Sequence, residues 1–158
     1  MSKTQFPISV IMEKRPSVSR WADAYWAAVG LIVGKQAATE MTLLHTDGDI
    51  EQYLYPNLTV SLHRDECESY YHNMMSPNPS CYIVARTAED GIPKPFLVSM
   101  SFDEAHAYQE NEDQAYSVEI PAELYEWMES YMIDNYFPEK RFKRKLKDWK
   151  HGSEKPAS

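Results

Sequence analysis

The sequence predicts an α+β fold built on a mostly antiparallel sheet, for which a barrel-like closure is one option. About three helices and a basic C-terminal helix or tail complete the predicted fold. Three observations lead to it: strand-like alternation through most of the first 120 residues, two Asp-Gly turns, and three segments with helical periodicity. The 158 residues are enough for one domain with a sizeable core.

The strand segments alternate apolar and polar residues, as expected where one face of a sheet is buried. Segments 6–12, 58–63 and 116–120 show this pattern, and the apolar run 26–34 has the length of a strand. Two tight turns, 46–49 and 89–92, contain Asp-Gly and predict hairpins, because Gly tolerates the positive φ that such turns need. The predicted inward faces are Phe6, Ile8, Val10 and Met12; Leu58, Val60 and Leu62; and Tyr116, Val118 and Ile120.

The three predicted helices are 64–75, 101–110 and 121–137. The first ends at a Ser-Pro-Asn-Pro run, the second opens with a capping box of Ser101 and Glu104, and the third starts at Pro121, a residue suited to a first helical position. Two apolar stripes predict which faces pack on the sheet. They are Cys67, Tyr70, Tyr71 and Met74 in the first helix, and Leu124, Trp127, Met128 and Tyr131 in the third, where Glu123, Glu126 and Glu129 lie mostly opposite.

Charge divides the chain into two regions. Residues 1–138 carry 8 Lys and Arg against 21 Asp and Glu, whereas residues 139–158 carry 8 against 3. The sequence therefore predicts an acidic α+β domain over 1–137 and a basic amphipathic C-terminal segment over 138–158.

The basic segment is predicted to bind a protein partner. As a helix it would align three apolar side chains and surround them with cations, a pattern typical of helices that bind acidic grooves. The alternatives are docking on its own acidic domain, a membrane surface and nucleic acid, which the acidic domain would repel. The predicted partner-binding residues are Lys140, Arg141, Phe142, Lys143, Arg144, Lys145, Leu146 and Trp149.

No catalytic, cofactor-binding or metal-binding pattern is predicted. The five glycines form no phosphate loop, and His63, Cys67, His72 and Cys81 lack the close ligand pairs of structural zinc sites. Cys67 lies on an apolar stripe, so both cysteines are expected to be reduced thiols, Cys67 within the core. With no membrane-spanning run and no export signal, the sequence predicts a cytoplasmic protein that is not an enzyme and needs no cofactor.

One candidate pocket remains in the segment 19–26. Arg20, Trp21 and Trp26 could form an aromatic pocket with a cationic rim that grips a ligand or a peptide. The alternative, which we favour, is that Trp26 belongs to the core and Trp21 covers an edge of the sheet.

Several short motifs resemble a bacterial domain-of-unknown-function family, number 3305. They span nearly the whole chain, and their order and spacing carry the resemblance. They are Arg20-Trp21, Trp26, "LHRDE" at 62–66, Asn73, Pro79, Arg86, "EA" at 104–105, Pro121, Trp127 and "FKRK" at 142–145.

The resemblance implies a biological setting. Members of that family are typically encoded beside molybdenum-dependent formate dehydrogenases and their maturation factors. It therefore implies a role in assembly or regulation of formate dehydrogenase, with the biochemical role unassigned. Together with the lack of a catalytic pattern and the predicted binding segment, this predicts a non-enzymatic accessory protein for maturation or regulation of that enzyme. The expected partner is formate dehydrogenase or one of its maturation factors. The alternatives are a nucleic-acid-binding or regulatory protein that uses the basic segment, and a binder of the anionic molybdenum cofactor.

Overall fold

A computed structural model describes residues 4–17 and 24–136. These residues form seven strands and three α-helices, with a short 3₁₀ turn at Arg64–Glu66 before the first helix. In chain order the elements are β1 (Gln5–Pro16), β2 (Ala24–Val33), β3 (Thr42–Asp47), β4 (Ile50–Ser61), α1 (Cys67–Met75), β5 (Ser80–Thr87), β6 (Pro93–Ser99), α2 (Phe102–Gln109), β7 (Gln114–Glu119) and α3 (Ala122–Asn135).

The seven strands form one sheet in the order β2-β1-β4-β6-β5-β7, and β3 also pairs with β4. Every pairing is antiparallel except that of β4 with β6, which is parallel where Val60 lies opposite Val98. The terminal strands β2 and β7 approach each other, so the sheet is nearly closed into a barrel. The predicted α+β class, its mostly antiparallel sheet and its three helices are confirmed.

Both predicted hairpins are present. Gly48 joins β3 to β4 with a φ of 63°, and Gly91 lies between β5 and β6 with a φ of 81°. Both conformations are strained for residues with a side chain, which explains why glycine stands at these two positions.

The inner face of the sheet and one face each of α1 and α3 enclose the core. Ile8, Val10 and Met12 of β1 are buried there, as their alternation predicts. The helices add Cys67, Tyr70 and Met74 from α1 and Leu124, Met128, Tyr131 and Met132 from α3. Each fully buried aliphatic side chain contributes about 1.5–3 kcal/mol.

Two helix ends show how local sequence sets the boundaries. Ser76 ends α1 in an extended conformation (ψ 161°), which the following proline favours. Pro121 is the N-cap of α3 rather than its first helical residue, because its ψ of 145° is extended, so that helix begins one residue later than predicted.

The basic segment 138–158 lies outside the described residues, and the domain boundary at 137/138 stays a prediction. Over residues 4–17 and 24–136, no helix has both the length and the apolar character needed to cross a bilayer.

Candidate functional site

Trp26 is the member of the predicted pocket that the structure describes, since Arg20 and Trp21 lie outside the described residues. Its ring packs against Tyr53 with 5.6 Å between centroids, and Lys14 Nζ lies 5.9 Å from the ring centroid. Trp26 also packs against the hydrophobic core. Trp26 is partly buried, so it lies against the core rather than within it, where the favoured alternative placed it.

A shallow cleft of about 300 Å³ adjoins Trp26, between β2, β7 and the β5–β6 hairpin. Tyr25, which is 61% exposed, forms one wall, and the Tyr116 hydroxyl donates a hydrogen bond to Gln114 Oε1 at the other. These groups can stack on a ring or hydrogen-bond to it. Among the residues that the structure describes, the cleft walls contain no carboxylate, histidine or cysteine that could act as an acid, a base or a nucleophile. Its lining is Ala24, Tyr25, Trp26, Thr87, Gly91, Pro93, Gln114 and Tyr116.

The most unusual surface is on β3 and the residue before it, which we call the β3 edge (residues 41–47). Every residue of this segment is exposed. Met41, Leu43 and Leu44 keep 48%, 50% and 45% of their surface accessible. On its outer side, β3 pairs with no other strand among residues 4–17 and 24–136. An exposed strand edge with large apolar side chains is typical of a binding surface.

Sequence reasoning predicted the β3–β4 hairpin but missed that β3 is exposed along its whole length. The signal was present: Leu43 and Leu44 are adjacent, and successive side chains of a strand point to opposite faces. A strand with one buried face cannot bury both. The structure leaves Leu43 and Leu44 exposed. The pairing of β3 with β4 has a register irregularity between Leu43 and His45.

A buried polar junction joins α1, α2 and the end of β6. Ser101 Oγ donates to a Glu66 carboxylate oxygen and accepts a hydrogen bond from the Glu104 amide at 3.0 Å. The second half of the predicted capping box differs, because the Glu104 carboxylate accepts from Ser99 Oγ at 2.6 Å rather than from the Ser101 amide. The Ser101 amide donates to Ser99 Oγ instead, at 2.9 Å. Glu66 and Glu104 therefore hold helices in place.

Asn73 ties α1 to the strands that flank it. Its amide nitrogen donates to the carbonyl oxygens of Ser80 at 2.8 Å and Met100 at 2.9 Å, and its Oδ1 accepts from the Ser80 amide at 3.0 Å. The side chain is buried, so it supplies these backbone groups with the hydrogen-bond partner that water would otherwise provide.

Arg86 and Asp113 form a bidentate ion pair, with both nitrogen–oxygen distances at 2.9 Å. The Arg86 guanidinium carbon also lies 4.6 Å from the centroid of Phe96. The hydrogen bond from Arg86, together with its charge, lowers the pKa of Asp113 below its usual range. The pair fastens the loop after α2 to β5.

The two cysteines lie in the core as free thiols. Burial raises the pKa of Cys67, and it raises the pKa of Cys81 to about 12. Both thiols are therefore protonated at neutral pH and are poor nucleophiles. In the part of the chain that the structure describes, no group of three or more His, Cys, Asp or Glu side chains is arranged to hold a metal ion.

The predicted partner-binding residues, Lys140 to Trp149, all lie outside the described residues. Their role stays a prediction, and so do the two alternatives that depend on them, nucleic-acid binding and binding of the molybdenum cofactor.

Comparison with known proteins identifies the family. No curated protein matches the chain, and no solved structure matches it. A family described as "Protein of unknown function (DUF3305)" matches residues 7–145. That range contains all seven strands except the first two residues of β1, the three helices, and all of the motifs that carry the resemblance. The chain therefore belongs to the DUF3305 family of proteins of unknown function.

Proposed function

We propose that this protein is a non-enzymatic accessory factor that acts in the cytoplasm by binding another protein, during maturation or regulation of a molybdenum-dependent formate dehydrogenase. The partner is formate dehydrogenase itself or one of its maturation factors. The exposure of Met41, Leu43 and Leu44 on the β3 edge is the observation that carries the protein-binding role. The setting comes from the family resemblance.

Exposed apolar side chains on a strand edge favour binding for a physical reason. Covering apolar surface releases about 25 cal/mol per Å², and a free edge also offers unpaired backbone N–H and C=O groups. Three large apolar residues within four positions combine both contributions at one place. A small-molecule site or a catalytic site would not need apolar side chains together with a free strand edge.

The motif residues support a role other than catalysis. Among those that the structure describes, Asn73 holds backbone groups, Glu66 and Glu104 accept hydrogen bonds from serine hydroxyls, and Arg86 pairs with Asp113. Each of these polar side chains is accounted for by a contact that maintains the fold. For these four residues the resemblance does not require a shared reaction, whereas His63, Arg64 and Asp65 of the same motifs are exposed.

Deletion of the gene tests the setting. We expect formate dehydrogenase activity to fall while other molybdenum enzymes in the same cells keep theirs, because an accessory factor for one enzyme leaves cofactor synthesis intact. Activity assays of formate dehydrogenase and nitrate reductase in the same extracts measure both. Equal loss in both enzymes would assign the protein to general cofactor synthesis and contradict the proposal.

Complementation of that deletion tests the surface. A gene encoding Leu43→Asp with Leu44→Asp should fail to restore formate dehydrogenase activity, because two carboxylates would be buried at the interface. Ile133→Asp is the matched control, since Ile133 is a similarly exposed apolar residue (49%) on α3 rather than on a strand edge. Immunoblots must show equal amounts of both variants. Full rescue by the double variant would exclude the β3 edge as the binding surface.

A further inference from the structure

We infer that the β3 edge binds an extended segment of a partner protein, rich in Lys or Arg beside apolar residues, which adds to the sheet as a further strand. This inference rests on the proposed protein-binding function and specifies its mode and the chemistry of the partner.

The backbone supports strand addition. One side of β3 is paired with β4, from Thr42 opposite Leu54 to Asp47 opposite Ile50. On the other side, no strand within the described ranges pairs with it, and β6 reaches β4 at Val60, beyond the end of the β3 ladder. The outer side of β3 therefore presents alternating N–H and C=O groups that an added strand can pair.

Natural edge strands usually carry Pro, Lys or other charged residues that prevent such pairing. From Met41 to Thr46 the edge has none of these protections apart from the register irregularity at Leu44, because its residues are Met, Thr, Leu, Leu, His and Thr. That irregularity adds twist without adding polarity. The apolar side chains give a partner strand something to cover on both faces.

The surrounding charge selects a basic partner. Glu40, Asp47 and Asp49 are exposed at the two ends of the apolar run, and residues 36–63 contain no Lys or Arg. The nearby cations Lys14 and Arg15 belong to β1, on the far side of β4, where they contact the Trp26 ring and the Glu13 carboxylate. Cations of a partner would therefore meet these acids with no Lys or Arg of residues 36–63 beside them.

The same charges argue against a second copy of this chain as the occupant. If two β3 strands paired antiparallel about their leucines, with Leu43 opposite Leu44, then Glu40 of one copy would lie opposite Asp47 of the other. Like charges directly opposite each other destabilise a strand pair. A partner with Lys or Arg at those positions would make the interaction between opposite residues attractive.

Two synthetic peptides test the inference on the full-length protein. One alternates valine with lysine and threonine, and the other has glutamate at each lysine. Amide chemical shifts and hydrogen exchange should show saturable binding of the lysine peptide, with protection of the amides of Thr42–Asp47. The glutamate peptide should bind at least about tenfold more weakly, and added salt should reduce that difference.

Variants locate the site. Leu43→Asp with Leu44→Asp should lower the affinity for the lysine peptide at least about tenfold, whereas Ile133→Asp should change that affinity less than about twofold. Equal binding of the two peptides, protection at α3 instead of β3, or no binding at all would each overturn the inference. A β3-mediated dimer in sedimentation experiments would overturn it too, because a second copy would then be the occupant.

The peptide result and the deletion result are independent. If the lysine peptide fails while deletion still impairs formate dehydrogenase specifically, the accessory role holds and the binding surface lies elsewhere. If the peptide binds β3 but deletion affects every molybdenum enzyme, the strand-addition surface holds and the proposed setting is wrong.

Discussion

β1 and β3 flank the same strand, β4, and end in opposite environments. In β1, Ile8, Val10 and Met12 are at most 1% exposed, whereas Leu43 and Leu44 of β3 are about half exposed. Their chemistry is similar and both strands pair antiparallel with β4. The difference in burial comes from position. β1 lies within the main order of strands that encloses the core, whereas β3 lies outside that order and pairs with β4. Burial marks the residues that fold the protein, and exposure marks those available to a partner.

The largest contrast in stability should come from one substitution in each environment. Met128→Ala leaves a cavity at a fully buried site and should lower the free energy of unfolding by about 2–5 kcal/mol. Leu43→Ala should change it by less than about 0.5 kcal/mol, because no core contact is lost. Urea unfolding followed by tryptophan fluorescence measures both. Similar losses in the two variants would mean that β3 is part of the core.

Asn73→Ala should give the next largest effect. The variant leaves the buried carbonyl oxygen of Met100 and the partly buried one of Ser80 without their donor, at a cost of about 1–3 kcal/mol. Asn111→Ala is the control, since that side chain makes one exposed hydrogen bond of 3.4 Å. Thermal unfolding should show a much larger loss of stability for Asn73→Ala than for Asn111→Ala. The opposite ranking would show that the Asn73 contacts contribute little.

A smaller effect should appear in the pH dependence. The pKa of Asp113 is lowered in the folded state by its hydrogen bonds with Arg86. Its stabilisation is therefore present above the ordinary carboxyl pKa of about 4 and is lost as pH falls below it. Asp113→Asn should lower stability at pH 7 and flatten the decline below about pH 4. Asp47→Asn removes a carboxylate that forms no ion pair among the described residues, so it should leave stability at pH 7 nearly unchanged.

The smallest effect on folding is expected from truncation after Phe137. The sequence assigns residues 138–158 to a separate basic segment, so the shortened protein should keep nearly the same melting temperature and lose the interactions of that segment. Calorimetry measures the first outcome, and pull-down of formate dehydrogenase and its maturation factors measures the second. A destabilisation of several kcal/mol would place the segment within the folded domain and contradict the predicted boundary.

The sequence predicted the fold well because alternation and turn residues act locally. The inward faces of β1, β4 and β7 follow from period-two alternation, and both Asp-Gly turns follow from the conformational freedom of glycine. Pro121 was misplaced by one residue because proline suits both sides of a helix start, and the choice depends on ψ.

The candidate site was harder to predict because exposure depends on tertiary position. Leu43 and Leu44 read as ordinary strand residues until the arrangement of β3 at the margin of the sheet is known. The Ser99–Glu104 hydrogen bond was missed for a similar reason, since capping rules consider one helix and Ser99 belongs to a strand. Trp26, which the favoured alternative placed in the core, is instead partly buried against it, in the terminal strand β2.

The single parallel contact between β4 and β6 has a consequence for how the chain folds. Strands β1 to β4 form one antiparallel group from consecutive residues, β5 to β7 form another, and Val60 opposite Val98 joins the two within the sheet. The β3–β4 and β5–β6 hairpins close short loops, whereas the β1–β4 ladder, which pairs Gln5 with Ser61, and the β4–β6 junction each bring together distant stretches of chain. We therefore expect the two hairpins to assemble first and these two long-range pairings to form later. Val60 takes part in both, since it pairs with Phe6 and with Val98, so Val60→Ala should speed unfolding far more than it slows folding in stopped-flow urea experiments.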